Sequence, residues 1–357
     1  MRNPMRKNML LPLFLLLALS FGCSDKDEPG TIEPALEETS LQEAAPFPFG
    51  AAINSSLLQV RPRYKAVVDK EFNSITPEWE MKMGATHPAP NTFSWTAADK
   101  IVSYAEGQGK RVHGHTLVWY KSLPTWVTNF QGDAAAWDNL MKNYIQTVVG
   151  HYKGRIGSWD VINEVFEEDG TFRNSVWYQH LGEGYIAKAF QYAHEADPEA
   201  LLFYNDYGHE YGTTKRTAIL NLAKKLKAEG VPIHGIGLQM HTRYNMADAN
   251  IVSAITSAAE TGLLVHIAEL DIAVNPENDQ NLEFTETLSR LQTQKYKLVV
   301  ETYKAIPAAQ QFGITTWNVA DADTWIRGNY NRPDWPLLFD DNYNRKQAYQ
   351  GVLDALK

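Results

Sequence analysis

After residue 46 the chain alternates between two hydrophobic patterns. Short apolar or β-branched runs occur at 47–53, 73–76, 111–119, 156–163, 201–205, 236–241, 264–270 and 313–318. Runs this short read as buried strands. Between them lie stretches with apolar residues at helical spacing, among them 97–106, 134–149, 185–195, 214–229, 249–260 and 294–305, with a closing helix near 346–356. Gly107, Gly150, Gly230 and Gly262 stand at predicted helix ends, where a left-handed cap favours glycine.

Strand–helix alternation implies a parallel sheet with right-handed crossovers. Eight such units, with no linker-like stretch and no short repeat after residue 46, predict an α/β fold: one (β/α)8 TIM barrel spanning 47–357. No glycine-rich phosphate loop follows any strand, which disfavours an open nucleotide-binding sheet. In a barrel of this kind the chemistry belongs at the C-terminal ends of the strands.

The first 46 residues lack this periodicity. Arg2, Arg6 and Lys7 precede an apolar run from Leu10 to Leu19, broken by Pro12. The run is too short and too early for a membrane span and reads as a secretory signal over 1–22. Cys23, the single cysteine, follows Ser20-Phe21-Gly22. The arrangement resembles a bacterial lipoprotein signal, which implies lipidation of Cys23 and a membrane anchor; an ordinary signal with an incidental cysteine is the alternative. The Pro/Glu/Thr-rich residues 23–46 read as a solvated tether. Their acidic start, Cys23-Ser24-Asp25-Lys26-Asp27-Glu28, resembles the signal that sends some lipoproteins to the outer face of the outer membrane. A surface-exposed outer-membrane lipoprotein is therefore expected.

The net charge of −9 becomes −12 once the three cations of residues 1–22 are removed. This argues against a nucleic-acid partner, which would need a basic surface. An apolar content of 44% supports a large core, and one cysteine excludes an intrachain disulfide framework or a Cys-rich metal site. The 10 Trp, 17 Tyr and 14 Phe supply flat faces for ligands as well as core.

Two predicted strands end in carboxylates set among apolar residues: Trp159-Asp160-Val161-Ile162-Asn163-Glu164 and His266-Ile267-Ala268-Glu269-Leu270-Asp271. Both strands should deliver a glutamate to one barrel mouth. A pair of carboxyl groups suits glycoside hydrolysis, where one acid protonates the leaving oxygen and an ionised partner attacks the sugar or activates water. Rim salt bridges are the bland alternative.

The chain from about Phe49 to Ala355 resembles a family 10 glycoside hydrolase, the family of endo-β-1,4-xylanases. The motifs run in order: Glu78-Trp79-Glu80-Met81-Lys82, Gly114 to Trp119, Trp159 to Glu164, Asn205-Asp206-Tyr207, Gln239-Met240-His241, Glu269-Leu270-Asp271, and Thr316-Trp317 with Asp321 and Trp325. The resemblance implies Glu164 as acid/base and Glu269 as nucleophile, with retention of configuration and no cofactor or metal. It implies that Asn163 hydrogen-bonds the sugar 2-hydroxyl. His241, oriented by Asp271 and flanked by Gln239, would keep Glu269 ionised. Glu78, Lys82 and His115 would line the glycone side, Trp317 and Trp325 would wall the sugars, and Asn205 and Trp119 would bind or support. Trp119 and Trp126 fit core and platform equally. His113 and His115 spell His-x-His, but no further metal ligands are arranged around them, and His113 reads as structural.

The chain departs from the family pattern at Trp79, Tyr120, Ser122 and Gly208, where the pattern has Asn, His, Gln and Asn. The first three changes fall in expected glycone contacts and point to a remodelled subsite. The resulting expectation is a tethered, cofactor-independent monomeric xylanase with xylan as its partner. The competing readings are a relative preferring substituted or mixed-linkage xylan or another β-glycan, and a non-catalytic glycan-binding lipoprotein.

Overall fold

The structure, a computed structural model, describes residues 39–357. The expected signal peptide, Cys23 and most of the expected tether lie outside the described residues. Nine parallel strand segments form the sheet: β1 (Phe49–Ile53), β2 (Ser74–Pro77), β3 (Arg111–Val118), β4 (Ser158–Asn163), β5 (Leu201–Asp206), β6 (Gly235–Leu238), β7 (His241–Arg243), β8 (Leu264–Ala273) and β9 (Gln311–Thr316). Their order is β6-β5-β4-β3-β2-β1-β9-β8-β7, and pairing of β6 with β8 closes the barrel. The expected (β/α)8 barrel is present, with helices on its outer face.

The sixth predicted strand is broken in two. Met240 adopts a left-handed φ of 59° between β6 and β7. This conformation ends the ladder, although the Gln239 carbonyl still accepts from the Glu269 amide at 3.0 Å. Hydrophobicity along 236–241 carries no signal for such a backbone turn.

The globular unit begins at Thr39 rather than at 47, which corrects the expected tether boundary. Leu41–Ala44 forms a helical turn, capped by reciprocal Ser40 and Glu43 contacts. Leu41 is fully buried, and its amide donates to Glu71 Oε2 at 3.0 Å. One anchored leucine and one capping box outweigh the polar, proline-containing composition of this stretch.

Small residues let large ones enter the barrel. A Cβ on Gly237 would fall 2.4 Å from Asn205 Oδ1. Glycine there leaves room for the Asn205 amide in the interior. Lower down, His113 and His266 are buried against Phe203 and Phe312. Outside, the helix Gln347–Leu356 packs its apolar face on Glu286–Ala305 and completes the ring.

Candidate active site

Glu164 follows β4 directly and Glu269 lies within β8, and both open into a cleft of about 630 Å³. Glu164 has a left-handed φ of 57°, and its amide donates to the Asn205 carbonyl at 3.0 Å. A positive φ is uncommon for a non-glycine residue and concentrates at functional sites. Here it turns the side chain out of the alternation of β4 and toward the mouth. Its Oε1 accepts from Gln239 Nε2 at 3.2 Å.

Both oxygens of Glu269 have donors. Asn205 Nδ2 donates to Oε1 at 2.7 Å, and His241 Nε2 lies 3.1 Å from Oε2. The opposite ring nitrogen of His241 lies 2.8 Å from Asp271 Oδ2, which also accepts from Trp325 Nε1 at 2.8 Å. Burial pushes His241 down, but the charges and hydrogen bonds of Asp271 and Glu269 prevail and hold it well above an ordinary imidazole. Burial likewise pushes Glu269 up. The His241 hydrogen bond and the charges of His115, His241 and Lys82 outweigh it, so the carboxyl stays below its usual value. The group is thus kept ionised although it is only 5% exposed.

The amides of Asn163, Asn205 and Gln239 connect the two acids. Asn205 Nδ2 lies 3.1 Å, and Gln239 Nε2 3.3 Å, from the Asn163 side-chain oxygen. The expected grouping of Asn163, Asn205, Gln239, His241 and Asp271 around Glu164 and Glu269 is therefore present.

Glu78, Lys82 and His115 lie almost buried beneath the cleft, at 7, 5 and 2% exposure. The Lys82 ammonium faces three indoles, with ring centroids at 4.3 Å (Trp79), 4.9 Å (Trp119) and 5.6 Å (Trp317). Burial lowers its pKa, opposed by Glu269, Glu78 and Glu164. His115 bonds Asp160 at 2.9 Å and meets Trp317 edge-on at 5.2 Å. The sequence reading gave no role to Asp160. His113 Nε2 stands 3.1 Å from its other oxygen, and the two histidines outweigh its burial and hold it far below the usual carboxylate value. The β3–β4 register, His115 opposite Asp160, could have revealed it. His113 and His115 are thus engaged by Ser158 and Asp160. Among the described residues no group of three or more His, Cys, Asp or Glu is placed to hold a metal ion.

Trp119, Trp317 and Trp325 line the cleft, whereas Trp126 packs on His87 and donates to its carbonyl at 3.0 Å. Of that pair Trp119 faces the cleft and Trp126 does not. Trp79 is 51% exposed and lines the cleft, so it does not turn into the barrel wall. Tyr120 also lines the cleft, with the Arg173 guanidinium 4.2 Å from its ring centroid. Ser122 has φ 54° and gives its carbonyl to the Gly84 amide at 2.7 Å. It is not among the lining residues, so that departure contributes a backbone contact here. Gly208 has φ 85°, a conformation that favours glycine. Tyr207, Tyr211 and Tyr330, unassigned from sequence as site residues, also line the cleft, as do Lys121, Glu168 and Asn329.

Residues 38–355 match the description Glycosyl hydrolase family 10. The chain is similar to a beta-1,4-xylanase of Dictyoglomus thermophilum, with 38% identity and 98% of each chain covered. It is also 38% identical to the endo-beta-1,4-xylanase Xyn10C of Cellvibrio japonicus over 88% of its own length. It spans only 57% of that longer relative. Among solved structures, xylanase 10B from Thermotoga petrophila RKU-1 in complex with xylobiose superimposes with a TM-score of 0.85 at 34% identity, covering 90% of this chain and 98% of that one.

Proposed function

The chain belongs to glycosyl hydrolase family 10, and we propose that it is an endo-β-1,4-xylanase acting with retention of configuration. The observation that carries this reading is the paired setting of two glutamates in one cleft, one of them held ionised by His241 and hydrogen-bonded by Asn205 on its other oxygen. In this mechanism Glu269 attacks the anomeric carbon while Glu164 protonates the departing oxygen. Water, deprotonated by Glu164, then releases the sugar from Glu269. The Asn205 hydrogen bond at 2.7 Å and the His241 contact at 3.1 Å fix both oxygens of the attacking carboxylate. Orientation is thereby set before substrate arrives. Trp317, Trp325, Trp119 and Trp79 supply indole faces for pyranose rings.

Reducing-sugar release across a panel of polysaccharides, with product sizing, tests the reading. Internal cleavage of β-1,4-xylan supports it. Retention on a xylan gel without product would favour a binding protein, and preferential cleavage of another β-glycan would replace the substrate.

The proposal extends to location: a monomer tethered to the outer membrane through acylated Cys23. One acyl chain binds membranes only marginally, so stable anchoring requires more than one. Cys23→Ala should move the protein to the soluble fraction; soluble wild-type protein without shedding would contradict the anchor.

A further inference from the structure

Beside the catalytic cleft lies a smaller recess of about 200 Å³, equivalent to about seven waters. Tyr211, His241, Trp325 and Tyr330 line both spaces, so the recess and the cleft share a wall at the catalytic histidine. Two arginines reach the recess, and they are not equivalent. Arg332 is neutralised by Asp334, whose Oδ2 lies 3.2 Å from its Nε and 3.1 Å from its terminal nitrogen. Arg243 has no carboxylate partner among the described residues. Its Nε is buried without a hydrogen bond, and its guanidinium carbon stands 5.5 Å from the Tyr211 ring centroid.

An unpaired, partly buried guanidinium is an unusual thing to keep, because a desolvated cation is ordinarily compensated. Nearby acids do not compensate this one. Asp271 is hydrogen-bonded to His241 and Trp325, and neither oxygen of buried Glu210 has a hydrogen-bond partner. Strand geometry explains why the group points here. Arg243 is two residues beyond His241 on β7, hence on the same face.

A ligand that fits must bring an anion and a ring together. Guanidinium groups bind planar carboxylates through two parallel hydrogen bonds. Tyr211 and Tyr330, 45 and 49% exposed, offer flat apolar faces beside it. We propose that this recess binds a uronic acid branch carried on the xylan backbone, its carboxylate on Arg243 and its ring on the tyrosine faces. The assignment rests on the xylan-hydrolysing reading and narrows it to acidic xylan. It gives the shared wall a purpose: the branch occupies the recess while the backbone lies in the cleft.

The test compares kcat/KM on a glucuronate-branched xylan with that on the same polymer after reduction of its carboxyl groups to alcohols. The wild-type enzyme should favour the acidic polymer by about 5-fold at low ionic strength, the upper scale of one solvent-accessible ion pair. Arg243→Gln should bring the ratio close to one, and Arg243→Lys should retain part of it. About 0.5 M salt should compress the wild-type ratio, because screening weakens an exposed ion pair. If Arg243→Gln fails to fold, the lysine variant and the salt series carry the test. A wild-type ratio near one, or an equal ratio in wild type and Arg243→Gln, overturns the recess assignment. Loss of activity on both polymers in the wild-type enzyme would instead overturn the xylanase reading.

Discussion

His266 and His241 stand on paired strands of one barrel, yet their chemistry is opposite. His266, at the floor, meets Phe203, Phe312 and His113, and its hydrogen-bond partner is the Thr315 hydroxyl at 2.9 Å. Burial, helped by the charges of His113 and Arg111, drives it well below the ordinary imidazole value. His241, at the mouth, is also largely buried but lies between Asp271 and Glu269, which drive it well above. Depth alone therefore does not decide what a buried histidine does. The carboxylates in contact with it do. The floor holds a neutral, packed ring, and the mouth holds a proton beside the attacking acid.

Four changes sharpen or break this contrast. Glu164→Ala should cost most, about 10²–10⁴-fold in kcat/KM on xylan, and much less on an aryl xyloside whose leaving group needs no proton. Azide should then give the β-glycosyl azide. Equal losses on both substrates would move the acid elsewhere.

His241→Gln comes next. Glu269 must be ionised to attack, and His241 lowers its pKa through a hydrogen bond and a charge. Removing both raises that pKa, so activity should fail at higher pH on acidification. The acid limb of the kcat/KM profile should move up by about one pH unit or more. An unmoved limb would separate the histidine from the nucleophile's ionisation.

Trp79→Asn tests the rim. Restoring the family's amide should raise kcat/KM on short xylo-oligosaccharides relative to polymer by about 2- to 12-fold, the scale of one hydrogen bond. Identical ratios from xylotriose to xylohexaose would remove Trp79 from the subsite.

His266→Leu should have the smallest catalytic effect. It leaves the buried Thr315 hydroxyl without its partner, which should lower stability by about 1–3 kcal/mol while kcat/KM barely moves. Denaturant unfolding alongside kinetics checks this. A large kinetic loss without destabilisation would erase the distinction between floor and mouth.

The sequence carried the strand-helix alternation, and with it the barrel and the delivery of Glu164 and Glu269 to one mouth, although β8 runs on past Glu269 to Ala273. It carried the motif residues Asn163, Asn205, Gln239, His241 and Asp271 as well. What it could not carry depends on long-range partners or on single dihedral angles. The left-handed turns at Glu164 and Met240 leave no mark on hydrophobic periodicity. The Trp325–Asp271 hydrogen bond spans 54 residues, and Leu41 is anchored by Glu71, 30 residues away. Arg243 resembles any strand arginine until its Nε is seen buried without a hydrogen bond among the described residues.

The central claim is that Glu269, held ionised by His241, is the nucleophile that bonds the sugar. A 2-deoxy-2-fluoro-xylobioside with an activated leaving group slows release of such an intermediate and allows it to accumulate. Mass spectrometry of the digested protein should find the fluoro-sugar on the peptide containing Glu269, and none in Glu269→Ala. An adduct on another residue, or turnover that gives inverted product with no adduct, would contradict the account.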